Sequence, residues 1–416
     1  MITKTLVEKS LSPDRHALLA AVSRVASARH LPVYLVGGFV RDLLLGLSPG
    51  DFDFVVDGDA PTLARALARE LGGDATVHPA FRTATWTDPT GLAVDLATAR
   101  TETYARPAVL PEVKPAPLAD DLRRRDFSIN TLALRVDGEH LGELLDPHGG
   151  QADLAARVIR ILHPLSFQDD PTRLFRAVRY EQRLNFHLAP DTLALFPGAW
   201  EALAAVTGDR VRHEFELIFR EPQVAAILTR LAELGVLPRV HPALHWGASE
   251  SAKASAIPQL SLADWRIASP PTLDAFFFSL LLGGASAPET FSALARLNVN
   301  KPVFQAVTEA VALQPAWPHP SEAVTALDGL SELGVIAAHV LHVEARPALD
   351  NYLARWRFIK AHTTGDDLIK SGLKPGPEFK KILWTLRAAW LDGEVNDDKG
   401  EKTLLARLLN TDKVTG

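Results

Sequence analysis

A chain of 416 residues, 47% of them hydrophobic, has enough apolar material for two to four compact units. It has no cysteine, which excludes disulfides, thiolate zinc sites and cysteine nucleophiles. The formal net charge of −6 argues against a general nucleic-acid binder but leaves room for a local basic groove. No stretch approaches the roughly 20 apolar residues of a membrane-spanning helix. The first ten residues keep their charges and lack an apolar core, so export is not expected and the cytoplasm is the default compartment.

Ser12-Pro13 reads as a helix N-cap followed by proline at the first helical position. Leu18, Leu19, Val22 and Val25 keep helical spacing toward His30. Val33 to Val36 is apolar and β-branched at both ends, which predicts a strand. Gly37 and Gly38 follow, and allow a ligand close to the backbone. A helix opening there turns its positive end toward an anion such as a phosphate. Asp51-Phe52-Asp53-Phe54 reads as a second strand whose two carboxylates share one face. Such a pair suits Mg²⁺, which takes carboxylates together with substrate phosphates.

Ala60 to Leu71 reads as a helix stopped by Gly72-Gly73. Three strands are predicted next, over Asp74 to His78, Arg82 to Thr87 and Leu92 to Ala97. The alternation implies an α/β head with a mixed sheet. Asp95 interrupts the third of these strands, and a carboxylate there must face water or find a partner. Pro107, Pro111, Pro115 and Pro117 predict a loop over Arg106 to Pro117.

Arg123, Arg124 and Arg125 precede Asp126-Phe127-Ser128-Ile129-Asn130. The Arg125 fork suits phosphate oxygens. Asp126 and Asn130 suit ribose hydroxyls, while Asp126 equally suits the cap of a following helix. Gln151 to Arg157 predicts a helix and Val158 to Leu162 a short strand. With Pro171 opening a helix, Asp170, Arg173, Arg176 and Arg179 fall on one stripe, and Leu174, Phe175 and Val178 on the other side. The stripe is either a solvated face or an acid and an arginine aimed at a base edge, with further arginines for phosphates. From Pro222 onward the pattern is mostly helical, and Arg355, Arg357, Lys360 and His362 form a modest basic run.

The pattern GG-x-x-RD-x-x-x-G from Gly37 to Gly46, followed by D-x-D at Asp51 and Asp53, resembles the first motif of the DNA polymerase β-like nucleotidyltransferases. The branch it resembles is that of the class II tRNA nucleotidyltransferases and bacterial poly(A) polymerases. Arg124 to Asn130 resembles that family's RRDF-[ST]-[IM]-N. Asp169 to Tyr180 resembles its base-reading motif, E-D-x-x-R followed by R-A-x-R-[FY], with Asp169 where glutamate is usual. Gly208 to Phe215 resembles E-R-[IV]-x-x-E, with Asp209 again replacing glutamate.

The resemblance implies an α+β protein: a polymerase β-like head over 1–163, a helical, base-reading neck over 164–222, and a helical body and tail over 223–416 that bind tRNA. It implies transfer of C and/or A from CTP and ATP to the tRNA 3′ hydroxyl, with two Mg²⁺ ions held by Asp51 and Asp53. Asp95 would be the third acid. Gly37, Gly38, Arg41, Arg125, Arg176 and Arg179 would hold the triphosphate, Asp126 and Asn130 the ribose, and Asp170 and Arg173 would serve as the template for C and A. A CC-adding or A-adding enzyme working with a partner nucleotidyltransferase, or a poly(A) polymerase, would carry the same motifs. The alternative of another class is a catalytically silent RNA-binding protein, whose usual mark would be loss of Asp51 or Asp53.

Overall fold

The structure, a computed structural model, describes residues 7, 9–50, 52–103 and 112–411. Val33–Val36 (β1) is apolar throughout and buried at all four positions, which suits an inner strand of a sheet. The remaining strands of the first half are Asp53–Val56 (β2), Asp74–His78 (β3), Thr83–Thr87 (β4), Ala93–Thr98 (β5), Arg100–Thr103 (β6), Glu112–Pro115 (β7), Ala133–Arg135 (β8), Leu144–Leu145 (β9) and the parallel pair Val158–Ile159 (β10) and His187–Leu188 (β11). Seven of them form one sheet in the order β3-β4-β5-β2-β1-β8-β9, while β6 and β7 form a separate ribbon. β2 and β5 run parallel and the other neighbours antiparallel, so the sheet is mixed.

Pro13–Ser27 (α1), Gly38–Leu44 (α2) and Ala60–Leu71 (α3) complete the front of the chain. The Ser12 hydroxyl accepts from the Arg15 N–H, and the Asp59 carboxylate accepts from the Thr62 N–H at 3.0 Å, so both long helices carry side-chain N-caps. The apolar stripe of α3, including Leu63, Ala64 and Leu67, is buried and meets β3, β4 and β5. The strands answer with Trp86, Val94 and Leu96. The opposite face of the sheet divides in two. Over β1 and β2 it is closed by Leu118–Arg123 (α4), whose Leu118 and Leu122 pack with Tyr34, Val36 and Val55. Over β4 and β5 it stays partly open along Thr83, Thr85, Asp95 and Ala97.

Several expectations are corrected. The second strand begins at Asp53, and Asp51 lies outside the described residues. Residues 106–111 of the predicted loop also lie outside them, but Glu112–Pro115 is a strand paired with β6. Proline is tolerated there because an edge strand does not need its missing N–H. No α-helix follows Asp126; Ser128–Asn130 is a single 3₁₀ turn ahead of β8. The helix expected from Pro171 begins at Arg173 (α6 below), because Asp170 organises the residues before it into a turn.

The chain folds as two compact units, 1–210 and 211–416. The first also holds Gly150–Ala156 (α5) and Arg173–Arg183 (α6). In the second, the described residues form helices and turns without a strand. Helices Leu273–Leu281, Lys301–Ala312 and Glu332–Leu341 pack on one another through buried residues such as Phe276, Val307 and Ile336. Phe219 stacks on Phe277 at 4.9 Å between ring centres. Leu368, Ile382 and Leu386 form a smaller core nearer the C-terminal end. No helix among the described residues is long and apolar enough to cross a membrane.

Asp121, 1% exposed, anchors α4 to the arginine cluster by pairing with Arg124 at 2.7 Å and Arg125 at 2.9 Å. Burial opposes its charge, but the two guanidiniums prevail and hold the carboxyl below its usual value. A depressed folded pKa gives stability that is present above the unfolded value of about 3.9 and lost as pH falls through the folded one. Acidification from pH 5 to 3 is therefore expected to lower the Tm of the wild type more steeply than that of Asp121→Asn. At pH 7 the variant should be less stable by roughly 3 kcal/mol. Parallel Tm-versus-pH curves would refute this.

Candidate active site

Asp53 opens β2 with its side chain exposed, and β5 brings Asp95 directly beside it in parallel register. Asp95 therefore lies on an inner strand and faces the open side of the sheet, not the core. On its other flank the Thr85 hydroxyl of β4 donates to Asp95 Oδ1 at 2.5 Å. Two carboxylates abreast and turned outward offer the oxygen-only donors that hard divalent cations take. Among the described residues no group of three or more candidate ligands occurs, and Asp51, the predicted partner of Asp53, lies outside them.

On one side of Asp53 is a cavity of about 450 Å³. Its wall brings together the predicted residues Gly37, Gly38, Asp53, Arg125, Asp126, Asn130, Asp170, Arg173 and Arg176, and adds Glu102, Arg124 and Tyr180. On the other side, along the open face of β4 and β5, is a second cavity of about 420 Å³. It is lined by His78, Thr83, Thr85, Asp95 and Arg100 and shares Asp53, Arg124 and Arg125 with the first.

Gly37 is required twice over. Its φ is +67°, and a Cβ there would stand 3.0 Å from Arg125 Nη1. Its own N–H is donated to the Leu132 carbonyl at 3.2 Å, which ties the turn to the sheet. The guanidinium beside it is only partly engaged: Arg125 Nη2 pairs with Asp121, while the buried Nε has no hydrogen-bond partner among the described residues.

Asp126 is 5% exposed and accepts from the Phe127 N–H at 2.9 Å, Asn130 Nδ2 at 2.9 Å and Arg176 Nη2 at 2.5 Å. Burial raises its pKa, yet Arg176 and the surrounding donors outweigh that and keep the carboxyl below its ordinary range. Asn130 Oδ1 accepts in turn from Arg41 Nη1 at 2.8 Å. Arg41, Asn130, Asp126 and Arg176 thus form one polarised chain, which rigidifies the cavity wall.

Two predicted triphosphate contacts, Arg41 and Arg179, do not line that wall. Arg41 is 3% exposed and pairs with Asp42 at 2.8 Å as well as with Asn130. Its guanidinium also lies 4.9 Å from the Tyr180 ring, and that of Arg179 lies 5.5 Å from it. Arg41 thus holds Asn130 and Tyr180, and Arg179 lies against Tyr180; Asn130 and Tyr180 are the groups that line the cavity.

Asp170 precedes α6. Its Oδ1 accepts from the Thr172 N–H at 3.1 Å, the Thr172 hydroxyl at 2.7 Å and Arg210 Nη2 at 2.7 Å. With those three bonds gathered on one oxygen, Oδ2 is left for a ligand. Arg173 is 6% exposed; its Nη1 donates to Ser166 Oγ at 2.5 Å and its Nη2 to the Arg124 carbonyl at 2.8 Å. The acid is thus held by its own turn and by Arg210, and the arginine by Ser166 and the Arg124 carbonyl. Sequence reasoning missed Glu102, Arg124, Tyr180, Ser166 and Arg210 as site residues. Arg210 sits inside a family-like motif and was within reach, whereas nothing in Arg100–Thr103 marks Glu102, which pairs with Arg124 at 2.7 Å.

Residues 33–160 match the Poly A polymerase head domain, and residues 185–246 match the probable RNA and SrmB-binding site of polymerase A. The chain is 33% identical, over 98% of its length, to the A-adding tRNA nucleotidyltransferase of Geobacter sulfurreducens, of which it spans 48%. It is 31% identical, over 94% of its length, to the A-adding tRNA nucleotidyltransferase of Halalkalibacterium halodurans, of which it spans 92%. It therefore covers about half of one curated relative and nearly all of the other. Among solved structures it resembles the Thermotoga maritima CCA-adding enzyme complexed with tRNA, with a TM-score of 0.79, 28% identity, and coverage of 99% of this chain and 98% of that one.

Proposed function

The chain belongs to the tRNA nucleotidyltransferase and poly(A) polymerase family, and from that premise we propose that it transfers CMP and/or AMP from CTP and ATP to the 3′ hydroxyl of tRNA. The observation that carries this reading is the pair of cavities meeting at Asp53. One is lined by arginines and carboxylates suited to a nucleoside triphosphate. The other runs past Asp95 and is open for the end of an acceptor strand.

In this reading Arg125 and Arg176 bind the triphosphate, and Asp126 and Asn130 receive the ribose. Asp170 Oδ2 accepts from an exocyclic amino group while Arg173 donates to the neighbouring ring nitrogen. Cytosine and adenine both present that amino-plus-acceptor edge, and uracil and guanine present its reverse, so a site wired this way rejects them. Asp95 takes the proton from the acceptor hydroxyl as its oxygen bonds to the α-phosphorus and the bond to pyrophosphate breaks. Family members use a divalent metal. Here Asp51 and Asp53 would hold Mg²⁺, which when bound supplies charge stabilisation at the phosphoryl oxygens.

We assign residues 1–163 to the catalytic head, 164–222 to the base-reading neck and 223–416 to the body and tail that hold tRNA, with the reaction in the cytoplasm. Addition of A alone, beside a partner nucleotidyltransferase, is a second reading, favoured by A-adding relatives that match along most of this chain.

The test uses purified protein, Mg²⁺ and three tRNA transcripts, lacking CCA, ending in C and ending in CC, with CTP and ATP supplied singly and together. Completion of all three is the CCA-adding result. Stopping after two C residues indicates CC addition, a single A on the CC-ended transcript indicates A addition, and long A ladders indicate a poly(A) polymerase. Extension of none would overturn the reading in favour of a silent RNA-binding protein.

A further inference from the structure

We propose that Thr85 is a positioning residue for nucleotidyl transfer: its hydroxyl pins Asp95 Oδ1 so that Oδ2 is presented to the acceptor hydroxyl. The inference rests on the reading of Asp95 as the third acid. β5 lies between β2 and β4, and the register sets Asp53 and Thr85 directly on either side of Asp95. All three side chains rise from the same face of the sheet, since residues paired directly across neighbouring strands share a face. Thr83 and Thr87 share that face too, but they pair with Ala97 and Ala93, so only Thr85 stands level with the carboxylate.

An exposed aspartate on a strand can occupy several χ1 wells. The bond from Thr85 is the one side-chain hydrogen bond that Asp95 makes among the described residues, and at 2.5 Å it lies at the short, charge-assisted end of the range. Threonine is itself stiff about χ1, so the hydroxyl is a fixed point and not a second mobile group. A base must hold its accepting oxygen within hydrogen-bond reach of the proton it takes. Spending Oδ1 on Thr85 selects which oxygen does so, at a residue that lines the second cavity.

The experiment uses the full chain and the tRNA transcript and nucleotide that the wild type extends. Thr85→Val keeps the β-branch and removes the donor. Its kcat is expected to fall about tenfold, a fraction of what acid–base catalysis typically contributes. The KM values for nucleotide and tRNA, the calorimetric Kd for the nucleotide and the Tm should stay at wild-type values. Thr85→Ser restores the hydroxyl and should restore kcat. In a crystal structure of Thr85→Val, the Asp95 carboxylate should occupy more than one rotamer. Wild-type kcat in Thr85→Val alongside an inactive Asp95→Ala would overturn the inference and leave the proposed reaction standing. So would a loss that tracks KM or Tm and is not rescued by serine, because that is the signature of a merely structural role. A wild-type protein that extends no transcript would remove the reaction, and the inference with it.

Discussion

Replacing Asp51 and Asp53 together by alanine should lower nucleotide incorporation by roughly 10³-fold or more, with tRNA binding left near the wild-type value. Metal stabilisation of a phosphoryl transition state is worth several kcal/mol, and each 1.36 kcal/mol is a factor of about ten in rate. Asp53 is exposed at the point where both cavities meet, so its loss removes charge from the reacting centre without opening the core. RNA affinity comes mainly from backbone and shape contacts, which two carboxylates do not supply. Single-turnover extension assays and gel-shift titrations on the same preparation separate the two quantities. Full activity in the double variant would sink the metal-holding role, and a parallel loss of tRNA affinity would point to a misfolded head.

The second large effect is on selectivity. Arg173→Ala should raise the relative kcat/KM for UTP and GTP, against CTP and ATP, by about 10- to 100-fold, the scale of losing one hydrogen bond from a charged donor. Arg173 is buried and its guanidinium is aimed by Ser166 and the Arg124 carbonyl, so its remaining donors point in a defined direction. Alanine removes those donors and leaves Asp170 as the only half of the template. Arg173→Lys is not a mild change here, because an ammonium cannot reproduce two fixed bonds and a third toward a base. Competition assays with mixed nucleotides on the CC-ended and CCA-lacking transcripts measure the ratio directly. An unchanged ratio against UTP and GTP would remove Arg173 from base reading.

Local signals carried much of the fold. The strands Val33–Val36 and Asp74–His78 and the helix Ala60–Leu71 have the boundaries that periodicity and stop residues predict. Each is a stretch where propensity, apolar spacing and end residues agree, so tertiary context had nothing to override. The motif residues were legible for a different reason. Gly37, the Arg125 fork and the Asp170–Arg173 pair are chemical types whose spacing is set within a few residues, and the cavity gathers them.

What the chain in isolation decided was therefore the local elements and the inventory of groups able to handle a nucleotide. Which of those groups face the cavity was decided only by packing. Arg41 and Arg179 carry the same guanidinium as Arg125, yet their places against Asn130 and Tyr180 follow from burial that no local pattern encodes. Asp95 meets Asp53 only because β5 returns parallel to β2, about 40 residues later in the chain. Arg210 reaches Asp170 across 40 residues, and Thr85 meets Asp95 across 10 only through the register of β4 on β5. Strand register and helix docking are settled by non-local hydrogen bonds and apolar contacts, whose partners are far apart in sequence, so the tertiary structure alone could pair these residues.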